Sequence, residues 1–243
     1  MATPSLLLLL ADGRFPAGAH AHSGGLEAAV AAGRVTDLAS LEAFLAGRLA
    51  TAGLVGAAFA AAAHRAAVAT TADPAESEAR SGALAEARSG ALARLDAELD
   101  ARTAAPALRA VSRRQGRALL RAGRTIWPDA PFADLPASPG GAHQPLVLGL
   151  LCAAAGLSRV ETATIAAYGT LTGAASAGVR LLGLDPYQVQ ALLVGLADAC
   201  DGAAAEAARA ADDPPERLPA AAAPLADIHA EIHATWEVRL FAS

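Results

Sequence analysis

Between Gly53 and Thr71 the chain is almost wholly alanine and other apolar residues, with Phe59 its one aromatic and His64 and Arg65 its ionisable positions. A helix apolar around its whole circumference has to be buried on several sides. The rest of the polypeptide must supply neighbours for it. Those neighbours are helices too: 54% of residues are hydrophobic but only 4% aromatic, so the apolar content is mostly Ala, Leu and Val. Ala and Leu favour helix, and the aromatic and β-branched residues that strands need are sparse. At 243 residues the chain can bury one substantial core. Together these features predict an all-α, single-domain bundle of about 8–10 helices over residues 1–223, with a flexible C-terminal tail over 224–243.

Local signals place the helices. Residues 5–11 read as a short buried helix. Gly24 is expected to cap the next one, with Glu27 at its third position reaching back; Gly33 sits where a C-terminal glycine cap belongs. Asp37 suits the cap of a third helix, whose Leu38, Leu41, Leu45 and Leu49 share a face. Residues 78–85 recur identically as 86–93, which lengthens a helix by roughly two turns and carries no assigned chemistry.

In a helix over about 105–123, Leu108, Val111, Gln115 and Leu119 face one way, while Arg109, Arg113, Arg117 and Arg121 form an i, i+4 ridge. That ridge reads as a solvated face pairing with the acidic 86–100 segment; docking of an acidic partner is the sharper alternative. Residues 125–142, with four prolines and the adjacent Gly140 and Gly141, are the place for a hinge between two helical halves. Pro145 suits a first helical position, and helices are expected at about 145–155, 159–178 and 186–210. Small residues crowd 169–178, which puts that helix at the bundle centre or at a self-association seam. The segment 224–243 is too short for a core of its own and needs a surface to lie on.

The densest cluster of unusual residues lies at 11–27, where Gly13, Pro16 and Gly18 break regular structure and Asp12, Phe15, His20 and His22 gather. Catalytic motifs are mostly eliminated. All 19 basic residues are arginine, so a phosphate-loop motif, which requires lysine, is excluded. No Gly-x-Gly-x-x-Gly follows a strand pattern, and no Gly-x-Ser-x-Gly occurs. His229 and His233 have an i, i+4 spacing compatible with a metal, to which His20 or His22 would add a ligand. Glu231, however, comes two residues after the first histidine and would point away from such a metal. A net charge of -5 gives no field favouring nucleic acid, and no aromatics interleave the arginines. Cys152 and Cys200 read as reduced, buried thiols. The leucine run at 6–10 is too short to span a bilayer and lacks a basic leader. The expectation is a soluble, cytoplasmic protein without catalytic residues, metal site or cofactor. The alternatives are a helical metal-dependent enzyme built on His229 and His233, and a helical regulatory protein bound through the arginine ridge.

Five motifs stand in order along the chain: Asp12-x-x-Phe15-Pro16-x-Gly18-x-x-x-x-Ser23-x-Gly25-Leu26-Glu27; Ser112-Arg-Arg-Gln-Gly-Arg-Ala-Leu-Leu120; His143-x-Pro145-x-Val147-x-Gly149; Ser176-Ala-x-Val-Arg180-Leu-Leu-x-Leu184; and Asp227-Ile-His229 through to Arg239-Leu240-Phe241-x-Ser243. In this order they resemble the UreF family of urease accessory proteins over nearly the whole chain. The sequence departs from that pattern at Gly18-Ala-His-Ala-His22, where the family has an aromatic-containing run. It departs again at Ala234, where a glutamate usually follows the histidine, and at Ala242, where arginine usually precedes the terminal serine.

The resemblance implies an all-helical, non-catalytic scaffold that forms a homodimer. It implies binding to UreD (also called UreH), recruitment of the nickel-carrying GTPase UreG with modulation of its activity, and nickel delivery to apo-urease, with no nucleic-acid or membrane partner. Carried over by position, Asp12, Phe15, Pro16, Gly18, Ser23 and Glu27 would shape the signature loop. Arg180 would lie near the dimer and GTPase-facing surface, with Tyr187 among the partner-binding residues. Asp227, His229, His233, Arg239, Leu240 and Phe241 would bind partners from the tail.

Overall fold

The computed structural model describes residues 4–16, 21–68 and 78–241. Gly18, His20, the break at residues 73–74 and the last two residues lie outside them. Among the described residues there is helix and no strand. The elements are α1 (Pro4–Ala11), α2 (Leu26–Ala31), α3 (Leu38–Arg48), α4 (Leu54–Val68), α5 (Glu78–Arg102), α6 (Pro106–Ile126), α7 (Gln144–Ala154), α8 (Arg159–Leu182), α9 (Pro186–Gly195), α10 (Ala197–Ala210) and α11 (Pro224–Ala234). A π-turn at Leu49–Gly53 joins α3 to α4 without a break, so the described residues form ten separate rods.

The alanine-rich α4 is the axis. Every residue from 57 to 63 is buried, and α7, α8 and α10 surround the helix. Alanine on α4 is matched by glycine on α7: a Cβ at Gly149 would run into the carbonyl oxygen of Ala60 and the Ala63 methyl. Interiors pack to crystal density, so backbones this close exclude larger side chains. His64, the buried polar group of α4, is satisfied by the Leu157 carbonyl 2.7 Å from Nε2. Burial holds its pKa below the usual histidine value. The run Leu38–Val68 is the one described stretch long and apolar enough to cross a membrane, and its α4 part is largely buried in the bundle.

Helix ends obey the local chemistry. The Asp37 carboxylate accepts from Ser40 N at 2.8 Å in a capping box. Ser158 and Glu161 cap α8 in the same way, and Gly183 ends it at φ 63. The small-residue segment puts α8 against α4, α10 and the three N-terminal helices, at the bundle centre.

Three local expectations are corrected. Gly25, at φ 88, caps α2 in place of Gly24, so Glu27 does not reach back to the helix start. α1 is only partly buried: five successive leucines cover the whole circumference while α8 covers one side, leaving Leu8 and Leu9 exposed. The helix expected over 186–210 is broken at Leu196 (φ -91, ψ 0). Gly195 is a weak helix former, and the bend lets Val189, Leu192, Leu196 and Cys200 all bury.

Candidate functional site

The tail lies on the chain itself. α11 packs between α2 and the start of α6, and two carboxylates hold it and the segment beyond it. Glu231 of α11 accepts from Ala107 N at 2.7 Å. This satisfies a free N–H in the first turn of α6, which no side chain of its own caps. Glu27, buried on α2, accepts from His233 Nε2 at 2.9 Å, Leu240 N at 2.8 Å and Phe241 N at 3.0 Å. Burial alone would raise the pKa of Glu27. The two backbone donors and the imidazole outweigh that and hold its carboxyl below the usual range.

Four further contacts complete this cradle. Ser23 Oγ accepts from Glu27 N at 3.2 Å, fixing the carboxylate's origin. Phe241 is buried beneath the Arg180 guanidinium, which stands 4.8 Å from the ring centroid. Trp236 meets the His233 ring edge-on at 4.8 Å. Below the loop, Arg48 donates to the Gly24 carbonyl, while its Nε has no hydrogen-bond partner; burial lowers the Arg48 pKa to about 10.

Six of the residues singled out in the sequence, Ser23, Glu27, Arg180, His233, Leu240 and Phe241, therefore meet at one place. The others do not. Asp12 pairs with Arg14 at 2.9 Å on the surface, and that contact lowers its pKa. Phe15 is buried, Pro16 faces α6, and Tyr187 stands 84% exposed on α9. Asp227 and His229 lie on α11, and Arg239 is exposed. Among the described residues no three His, Cys, Asp or Glu side chains converge as a metal site, and His233 is engaged by Glu27.

A second polar junction has no single motif to announce it. Arg113 donates to Asp96 at 3.0 Å and to Asp100 at 2.8 Å. Its guanidinium also reaches the Gly141 carbonyl at 2.6 Å. His143, with no exposed surface, places Nε2 2.9 Å from Asp100 and Nδ1 3.0 Å from the Ser112 hydroxyl, which also accepts from Gln144 N at 3.3 Å. The Asp100 carboxylate can only accept, so Nε2 carries the proton and Nδ1 accepts from the Ser112 hydroxyl. Burial lowers the His143 pKa against the pull of Asp100. A serine, a histidine and an aspartate touch here, but an imidazole sealed from solvent cannot serve a substrate, and the group acts as a clasp between α5, α6 and the start of α7. Its signal in the sequence is the i, i+4 pair Asp96 and Asp100 opposite Arg109 and Arg113. Pairing of the ridge with the acidic segment holds for those two arginines, with Arg109 3.8 Å from Asp100.

The UreF family model matches residues 35–197. Relatives match along their length. The urease accessory protein UreF of Mycolicibacterium vanbaalenii is 41% identical over all of both chains, and that of Mycobacterium marinum is 43% identical over the same extent. The Mycobacterium tuberculosis UreF is 44% identical over 85% of this chain and 86% of its own. Helical architecture, ordered motifs and full-length similarity agree, and the chain belongs to the UreF family of urease accessory proteins.

Proposed function

We propose that this chain is a non-catalytic scaffold of urease maturation, acting in the cytoplasm as a homodimer. With UreD and the GTPase UreG it enables nickel insertion into apo-urease and modulates the GTPase. Nickel is cargo of the assembly in this reading, and bond chemistry resides in the partners. The body over 1–223 provides the frame, and 224–243 the partner-binding segment.

The observation that supports the reading most is the way the tail is presented. Glu27 and Glu231 fix its inner side, and Leu225, Ile228 and Ile232 then line up on its outer face at 45%, 56% and 51% exposure. Val238 and Leu240 extend the apolar surface beyond the helix. A contiguous exposed apolar stripe on a held segment is the mark of a protein-binding surface. The metal-enzyme alternative loses His233, which Glu27 engages. Co-purification with UreD and UreG, together with the nickel content of urease, tests the proposal. Removing residues 224–243 should abolish co-purification and leave urease without nickel. Normal nickel loading in a deletion strain lacking any second copy would overturn it.

A further inference from the structure

Helix α6 carries two sets of arginines that do different things. Arg109 and Arg113 turn inward to Asp100 and Asp96. Arg114, Arg117, Arg121 and Arg124, spaced i, i+3, i+7, i+10, form an exposed row beside them. Arg117 donates to the Gly140 carbonyl, and neither Arg121 nor Arg124 has an ion-pair partner among the described residues. One strip over on the same helix, Ala118, Ala122, Thr125 and Ile126 line a groove of about 340 Å³ whose far wall is Pro16 of the signature loop. Arg121 borders this groove, and Ile126 is 45% exposed beside it. A chain of net charge -5 thus concentrates positive charge along an apolar trough.

We propose that this face of α6 docks an amphipathic helix of a partner protein, one carrying aliphatic residues for the groove and a row of carboxylates for the arginines. The groove residues run from 118 to 126, about 12 Å along the helix axis, or a little over two turns. That length accepts apolar side chains at i, i+4 and i+7 of a partner helix. Guanidinium groups spaced along the adjacent edge match carboxylates bidentately, and helix-in-groove recognition uses these two elements side by side. The same face suits RNA poorly: among the described residues nothing aromatic lines the groove for bases to stack on, and the apolar strip would be left uncovered.

The proposal rests on the scaffold reading, so the test carries a control for it. A photoreactive benzoylphenylalanine is placed at Thr125, or separately at Ile228 on the tail, in the full chain assembled with UreD, UreG and apo-urease. Both positions should cross-link, and the peptide joined to position 125 should be an acidic helical segment of another protein. The double variant Arg121→Glu, Arg124→Glu should cut the position-125 yield about tenfold and leave the position-228 yield unchanged. Raising salt from about 0.1 M to about 0.5 M should weaken the former selectively.

Cross-linking at 228 without 125 overturns this docking face while sparing the scaffold. Silence at both positions overturns the scaffold and the docking face together. A position-125 product that survives charge reversal, or that joins a second copy of this chain, overturns it too. So does binding of a uridine homopolymer RNA by the full chain that the double variant abolishes.

Discussion

Two junctions in this bundle are assembled from the same parts, a carboxylate, a histidine and backbone N–H groups, and they are balanced differently. In the clasp, Arg113 stands between Asp96 and Asp100, so charge is compensated within the site, and every member comes from residues 96–144. In the tail cradle no arginine pairs with Glu27 among the described residues. Its carboxylate is satisfied by an imidazole and two backbone donors that lie 206 to 214 residues away. The clasp fastens helices whose loss would open the core. The cradle fastens a terminal segment that adds Phe241 to the core, and leaves that segment's apolar face outside. Similar polar chemistry therefore joins core helices in one place and, in the function we propose, presents the tail in the other.

That contrast breaks most readily at the clasp. Asp96→Ala removes a buried carboxylate and takes from the half-buried Arg113 one of its two anionic partners, which should cost about 3 kcal/mol in urea denaturation. A loss under about 1 kcal/mol would mean that the clasp does not hold the core. At the cradle, Glu27→Gln should cost about 1–3 kcal/mol locally. It should appear as lost amide-exchange protection over residues 233–241, with the global urea midpoint nearly unchanged. A matching drop in the global midpoint would erase the distinction between the two sites.

Acid titration separates them along another axis. The His143 pKa is depressed on folding, so the unfolded chain binds the extra proton. The clasp, in which His143 faces Asp96, Asp100, Arg113 and Ser112, should begin to lose stability as pH falls below about 6.5. Glu27 is also depressed. Its contribution is complete above the ordinary carboxylate value of about 4.3 and is lost as pH falls through the lower folded value. Exchange protection should therefore fade first around His143 and later along the tail; the reverse order would contradict both assignments. The smallest effect is expected at Tyr187. Its exposed ring should tolerate alanine within about 0.5 kcal/mol, leaving any loss to binding assays.

Legibility in the sequence depends on distance along the chain. The alanine-rich α4, the Asp37 cap, the Gly33 terminus and the pairing of Arg113 with an acidic segment all rest on neighbours or on periodicity, and each is readable. Glu27 is not. Local rules offer it a reach back to the helix start, whereas its three partners wait at the far end of the polypeptide. His143 stands out only as part of a motif, because its burial depends on α5, α6 and α7 meeting. The arginine ridge is legible as a ridge but not in its facing: the i, i+4 rule joins Arg113 to Arg117, yet the first turns inward and the second outward. Composition says correctly that the tail needs a surface; that the surface is α2 and α6 comes from tertiary packing alone.

The most direct measurement is the affinity of the full chain for UreD, with Glu27→Gln set against wild type. If Glu27 holds the tail in its binding form, the variant should bind about tenfold more weakly while unfolding at the same urea concentration. Equal affinity in the two proteins, with the tail's exchange protection lost in the variant, would contradict a tail held for its partners by Glu27.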